Sequence, residues 1–304
     1  MKVLVTGGAG FIGSHIVDGL INEGYEVVVV DDLSTGKESN LNPRARFYRI
    51  DIQDHGLEDV FQRERPDYVS HQAAQIDVRR SVTDPVFDAR INIIGTINLL
   101  QNCVKYNVRK VIFASSGGAI YGEQEVFPAP EDHPLRPLSP YGITKLVAEH
   151  YLHYYKITYG LDYVSLRYAN VYGPRQDPFG EAGVVAIFIQ RMLNGGQPVI
   201  NGDGEQTRDF VYVEDVARAN ILALKSDAEE CIFNIGTGIE TSINSLFKML
   251  KEIINPHIKD VHGPPKAGEQ RRSVIDPTRA KAKLNWLPNV TLYEGLARVV
   301  RTWR

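Results

Sequence analysis

Tyr141 and Lys145 stand four residues apart in the run Ser139-Pro140-Tyr141-Gly142-Ile143-Thr144-Lys145. On a helix that spacing puts both side chains on one face. A phenol with a pKa near ~10 is a poor base at neutral pH. A neighbouring ammonium favours the phenolate, as does positive charge on an oxidised nicotinamide. The phenolate could then take a proton from a substrate hydroxyl while hydride moves to the cofactor. A lone Tyr-x-x-x-Lys would read as a packing tyrosine and a solvated lysine. Two features reverse that reading. A dinucleotide fingerprint lies upstream, and Ser115-Ser116 closes a predicted strand where a hydroxyl can complete the group.

The fingerprint opens on four apolar or β-branched residues, Val3 to Thr6, which read as a buried strand. Gly7, Gly10 and Gly13 follow at three-residue spacing, and a helical pattern begins with Phe11 and Ile12. Strand, glycine-rich turn and helix form the context of a dinucleotide site. One glycine permits the turn, one lets a pyrophosphate approach, and one lets helix and strand pack. The helix N-terminus offers N–H groups to the phosphates. A second predicted strand, Glu26 to Val30, ends in Asp31-Asp32, where a carboxylate can accept from ribose hydroxyls.

Further predicted strands cover Arg46–Ile50, Asp67–His71, Lys110–Ser115 and Asp162–Tyr168, with helices over about 82–106 and 141–159 between them. The alternation predicts an α/β protein with a Rossmann-type doubly wound parallel sheet. Ligands then lie beyond the carboxyl ends of the strands. After residue 170 the pattern changes: Gly173-Pro174, Asp177-Pro178 and Gly195-Gly196 mark loops among shorter elements. We expect a domain over 1–170, joined by about 210–238. A smaller C-terminal substrate-binding lobe is expected from 171–209 and 239–304.

With 304 residues the chain is long enough for such a pair of lobes. The formal net charge of −3 gives no reason to expect nucleic acid or an anionic membrane as partner. The two cysteines, Cys103 and Cys231, are expected to be buried thiols in a reducing compartment, with no metal site. No apolar run is long enough to span a bilayer and no signal peptide is read at the start, so a cytoplasmic protein is expected.

Taken in order, several blocks resemble an extended short-chain dehydrogenase/reductase, within it the nucleotide-sugar 4-epimerases typified by UDP-glucose (UDP-galactose) 4-epimerase. They are Thr6-Gly-Gly-Ala-Gly-Phe-Ile-Gly13, His71-Gln-Ala-Ala74, Ser115-Ser-Gly-Gly-Ala-Ile-Tyr-Gly122, Tyr141-Gly-Ile-Thr-Lys145, Arg167-Tyr-Ala-Asn170, Gly202-Asp-Gly-Glu-Gln-Thr-Arg-Asp-Phe210 and Leu284-Asn-Trp286. The resemblance spans essentially the whole chain. It implies a resident NAD, a UDP-sugar substrate, a place in galactose metabolism, and a homodimer built through a four-helix bundle.

By that resemblance Gly7, Gly10, Phe11, Ile12 and Gly13 would cradle the NAD phosphates, and Asp31 and Asp32 with Ser34, Thr35, Gly36 and Lys37 would hold the adenosine end. Asp51 and Ile52 would meet adenine. Gln72, Ala73, Ala74, Gln75, Asn92, Ser115 and Tyr168 would line the rest of the cofactor path, with Lys145 at the nicotinamide ribose. Tyr141, Lys145 and Ser116 would be catalytic. Ser116, Gly117, Gly118 and Tyr141 would meet the sugar, while Asn170 and Arg208 would bind the diphosphate. Val184, Val185, Val199 and Asn201 would flank uridine, and Lys266, Glu269 and Ser273 would complete the substrate loop.

Three departures from the family pattern matter. The Ser or Thr expected five residues before Gly122 is Gly117, so the relay hydroxyl is assigned to Ser116, with water or no relay as the alternatives. A phosphate-binding arginine is replaced by Lys266, a point charge without a fork. The position that gates the sugar 2-substituent is Ser273, which predicts room for an N-acetyl group. Related 4,6-dehydratases carry carboxylates where this chain has Gly118 and Ala119, and nucleotide-sugar decarboxylases carry a glutamate there. Neither glycine nor alanine transfers protons, which argues against both. A glucuronate 4-epimerase stays open, because the pocket for sugar C6 is not legible. A non-catalytic NAD-binding protein also stays open, because of Gly117.

Overall fold

A computed structural model describes residues 1–179, 183–266 and 270–304. The first half alternates: β1 (Lys2–Thr6), α1 (Phe11–Asn22), β2 (Glu26–Val30), β3 (Arg46–Tyr48), α2 (Leu57–Glu64) and β4 (Tyr68–His71). Next come α3 (Val78–Thr83), α4 (Pro85–Ala89), a π-helical turn over Arg90–Gly95, and α5 (Thr96–Lys105). β5 (Lys110–Ser116), α6 (Pro140–Tyr159) and β6 (Asp162–Tyr168) close this half. The remainder holds β7 (Asn170–Tyr172), α7 (Val184–Leu193), β8 (Ile200–Asn201), β9 (Thr207–Arg208), β10 (Phe210–Tyr212), α8 (Val213–Lys225) and β11 (Ile232–Ile235). It ends with β12 (Thr241–Ser242), α9 (Ile243–Ile254), β13 (His262–Gly263), α10 (Thr278–Leu284) and α11 (Leu292–Trp303).

Seven strands form one sheet in the order β11-β6-β5-β4-β1-β2-β3, and every pairing in it is parallel. The strand order reverses between β1 and β4, so a crevice opens at their carboxyl ends. Register sets the edge of that crevice: Thr6 pairs with His71, His71 with Phe113, and Ser116 with Tyr168. The strands are apolar on both faces because helices cover both. On one face α1, α8 and Trp286 pack over Val3, Val5 and Ile112. On the other, α2, α5 and α6 pack over Leu4, Val69 and Val111. A further core joins α7, α9 and α11 to Tyr172 and Tyr212. No helix among the described residues is long and apolar enough to cross a membrane.

The helix expected over about 82–106 runs without a gap from Pro85 to Lys105, with a π-helical stretch inside it, and is separated at Asp84 from the short α3. Pro85 cannot continue a hydrogen-bonded helix, and Asp84 caps the restart by accepting from Phe87 N at 3.0 Å. The π-turn then widens the helix before α5 resumes. Helices α2 and α10 and strand β7 are not anticipated by the alternation alone. Leu57, Val60 and Phe61, all buried, do carry the i, i+3, i+4 signal of α2.

Helix α6 has its start and its depth both fixed. Ser139 caps it by accepting from Gly142 N at 3.1 Å, and Pro140 occupies its first turn. Deeper in, Arg167 on β6 meets Glu149 on α6 through Nη2–Oε2 at 2.7 Å and Nε–Oε1 at 3.1 Å, both side chains almost fully buried. Removing the cation should leave Glu149 an uncompensated buried charge. Arg167→Met is expected to cost about 3–5 kcal/mol in urea-melt stability; a loss under ~1 kcal/mol would mean that the pair does not anchor α6.

Candidate active site

The glycine turn after β1 has no room for side chains. Gly7 has φ +68°, and a Cβ there would stand 2.7 Å from Ala73 N. A Cβ on Gly13 would stand 2.1 Å from Gly7 O. Gly10 precedes α1 without any side-chain cap, so the first-turn N–H groups of that helix are left for a ligand. Asp31, buried at the tip of β2, accepts from Ala9 N at 3.0 Å and Leu33 N at 2.9 Å. Burial raises its pKa, the two backbone donors lower it, and neighbouring Asp32 raises it. Gly36 touches the same carboxylate, since a Cβ would lie 2.7 Å from Asp31 Oδ1. Asp32, Ser34, Thr35 and Lys37 are exposed around this end, with Asp32 accepting from Ser34 N at 2.9 Å. Ile52 is buried against Gly95, and Asp51 beside it is half-buried. A glycine cradle, an uncapped helix and a buried carboxylate suit a dinucleotide. Ser115 adds a buried hydroxyl without a partner among the described residues.

Beyond the cradle, the carboxyl end of β5 faces α6. Lys145 Nζ donates to Ala114 O at 2.8 Å and lies 4.9 Å from the Phe113 ring centroid. Its ammonium is also 5.9 Å from the Tyr141 ring centroid. Burial pulls the Lys145 pKa down to about 8, opposed by the charges of Asp88 and Glu149. Part of the Tyr141 side chain reaches solvent, but its phenol is set deep enough for burial to push its pKa up to about 12. The Ser116 hydroxyl nearby lowers it, and the Asp88 charge raises it. His71 stays neutral, since burial and the Lys145 charge push it down to about 3. Its ring is fixed by Thr6 Oγ1 at Nδ1 (2.7 Å) and Thr96 Oγ1 at Nε2 (2.9 Å). Thr96 Oγ1 donates to Asn92 O at 2.8 Å, so the His71 proton sits on Nε2. Tyr168 bonds Asn220 Nδ2 at 2.8 Å and Gln72 Oε1 at 3.3 Å, beside the half-buried Ala73 and Ala74.

Position 117, without a hydroxyl, is closely packed. A Cβ on Gly117 would meet Ile275 Cδ1 at 2.8 Å and Tyr168 O at 3.3 Å. Ile275 belongs to a segment tied to the loop after β5: Ala129 N donates to Val274 O at 3.0 Å, and Val274 N to Gln124 Oε1 at 3.0 Å. Ser273, buried, lies in the same segment as Ile275. Strand pairing gathers the rest. Asn170 lies beside Phe210 across β7–β10, adjoining Arg208, whose Nη1 donates to Thr207 O at 2.7 Å. Val199 and Asn201 flank β8, whose partner β13 leads to the exposed Lys266. Val184 is half-buried, and Val185 is in the core of α7 and α9. Glu269 lies outside the described residues. Sequence reading missed Asp88 and Thr144, which join Gln75 and Asn92 in one buried cluster. The i, i+4 spacing of Asp88 and Asn92 was the signal available.

The profile of the NAD dependent epimerase/dehydratase family matches residues 3–236, and the chain belongs to that family. A UDP-glucose 4-epimerase of Mycolicibacterium smegmatis is 44% identical over 100% of this chain and 99% of its own length. The crystal structure of a Thermotoga maritima UDP-glucose 4-epimerase with UDP-glucose superposes with a TM-score of 0.98 at 56% identity, covering 100% of this chain and 99% of that one. A Thermus thermophilus UDP-glucose 4-epimerase in complex with NAD gives 0.94 at 48% identity, over 100% and 99% of the two chains.

Because the clash at Gly13 is with backbone, no rotamer relieves it. Gly13→Ala should lower the melting temperature and leave the purified protein without bound dinucleotide, read as released NAD after denaturation. Full NAD content at unchanged stability would contradict the cradle.

Proposed function

We propose that this member of the NAD-dependent epimerase/dehydratase family interconverts UDP-galactose and UDP-glucose by epimerisation at sugar C4. The observation that carries the reading is the group Ser116, Tyr141 and Lys145 at the carboxyl edge of the sheet, next to a dinucleotide cradle. NAD, held by the glycine cradle and Asp31, would supply a reversible acceptor for the hydride of sugar C4.

Tyr141 Oη takes the proton of the 4-hydroxyl and later gives it back. Ser116, whose hydroxyl acts on Tyr141, replaces the hydroxyl absent at position 117. Lys145 favours phenolate by its charge and reaches a ribose hydroxyl by its remaining donors. Gly7 to Gly13 and the start of α1 hold the pyrophosphate, Asp31 the adenosine ribose, and Ile52 the adenine. Asn170, Arg208 and Lys266 bind the substrate diphosphate, Arg208 with the fork that suits it. We assign 1–170 with 210–238 to cofactor binding, and 171–209 with 239–304 to the nucleotide sugar. Serine at 273 leaves room for a 2-N-acetyl group, so the N-acetyl epimers are also substrates. Gly118 and Ala119 supply no acid or base for elimination of water, which separates this chain from dehydratases.

The active form is a homodimer. Helices α3 to α5 pack beside α6, and the surface they share carries Val82, Val86, Ile94, Ile143 and Ile157, each roughly half-exposed or more. Such an apolar stripe supports pairing with a second copy as a four-helix bundle. The reading puts the enzyme in the cytoplasm, in galactose metabolism.

The test is incubation with UDP-galactose and UDP-N-acetylgalactosamine, without added NAD, followed by separation of the epimers. Both should be converted. Tyr141→Phe should keep its NAD yet lose roughly 10²–10⁴-fold in kcat, the worth of a general acid–base group. Unchanged turnover in that variant sinks the mechanism, and an N-acetyl sugar left untouched sinks the breadth assigned to Ser273.

A further inference from the structure

Asp88, on α4, is fully buried. Its surroundings fix its chemistry. Gln75 Oε1 accepts from Asp77 N at 2.6 Å, and Asn92 Oδ1 accepts from Gln75 N at 2.9 Å, so both amides turn their NH₂ groups toward Asp88. Gln75 Nε2 (2.9 Å) and Asn92 Nδ2 (3.1 Å) donate to Asp88 Oδ1, and the Thr144 hydroxyl donates to Oδ2 at 2.9 Å. The two amides can only donate here and the Thr144 hydroxyl can donate, an arrangement that an acceptor-only carboxylate fits. Among the described residues no cation forms an ion pair with it.

A buried anion without a contact cation is expensive unless a nearby charge offsets it. Thr144 stands immediately before Lys145, and the Asp88 charge favours the protonated form of Lys145 against burial. Among the other groups facing Lys145, Glu149 adds to this effect, after Asp88. On α6, Glu149 is engaged by Arg167, and Tyr141 is neutral at rest. On β4, His71 is neutral. On β5, Ala114 O and the Phe113 ring are uncharged partners. Tyr141 itself faces Ser116 and the same Asp88 charge.

We propose that Asp88 is a positioning residue for the catalytic pair: its anion, held by Gln75, Asn92 and Thr144, keeps Lys145 protonated in a desolvated site and sets the pH window of turnover. The proposal rests on the reading of Tyr141 and Lys145 as that pair.

Asp88→Asn keeps the shape of the side chain. Its carboxamide oxygen can still accept from Gln75 and Asn92, and the Thr144 proton can turn to Tyr141 O, 3.0 Å away. Removing the anion lowers the proton affinity of both Lys145 and Tyr141. Both limbs of the kcat–pH profile of the NAD-loaded variant should therefore move to lower pH. The ratio of kcat at pH 9 to kcat at pH 6 should fall roughly tenfold, the change a one-unit displacement produces. A profile that keeps its position, whatever its height, overturns the proposal.

A stability cycle gives a second readout that needs no activity. Thermal melts compare Asp88→Asn, Lys145→Met and the double variant. If the two charges offset one another, the double variant melts higher than the sum of the single losses implies. If Asp88→Asn does not fold, a folded double variant still supports the pairing. Additive losses, or a double variant as unfolded as Asp88→Asn, contradict it. Absence of epimerisation by the wild-type protein would instead defeat the catalytic reading, and the melts would still decide whether the charges are coupled.

Discussion

Desolvation of the Tyr141–Lys145 pair is the constraint on which the rest of the site depends. Burial works on the two groups in opposite directions. It pushes the phenol up to about 12 and the ammonium down to about 8, so each is driven toward its neutral form. A pair tuned in this way has little phenolate at rest. In the proposed mechanism it becomes a base only where additional positive charge arrives beside it, as an oxidised nicotinamide would bring. Proton removal and hydride removal would thereby be tied together. The neutral His71 belongs to the same logic, because a second cation next to Lys145 would weaken the lysine's hold on its own proton.

The fold holds this pair at a fixed depth. Ser139 and Pro140 start α6 at one position, and Arg167–Glu149 anchors it two turns later. Gly142 lets the first turn approach the β5 loop, since a Cβ there would stand 2.6 Å from Ala119 O. Position 117 is closely packed as well. The end of the Ile275 side chain lies where a side chain at 117 would begin, and the hydroxyl one residue earlier is the one that acts on Tyr141.

Much of this was legible in the sequence. Strands β1, β2, β5 and β6 are buried on both faces and bounded by turn residues, so their apolar runs mark them closely. Tyr141, Lys145 and the glycines could be read because local spacing carries their geometry. The region 78–105 could not, because its apolar pattern continues smoothly through Asp84-Pro85 and hides a restarted helix and a π-turn. Asp88 was missed for a related reason. An acid in a helix reads as surface, and only the tertiary approach of Gln75 and Thr144 buries and satisfies it. The close packing at Gly117 was equally hidden, since Ile275 lies far away in the chain.

The central claim is that hydrogen leaves C4 of the sugar and returns to the same carbon, while only the oxygen-bound proton passes through Tyr141. UDP-galactose carrying deuterium at C4 tests it most directly, with the purified protein in ordinary water and no added cofactor. The account predicts UDP-glucose that keeps the deuterium at C4, seen by mass spectrometry and NMR. Product that has lost the label to solvent would contradict it.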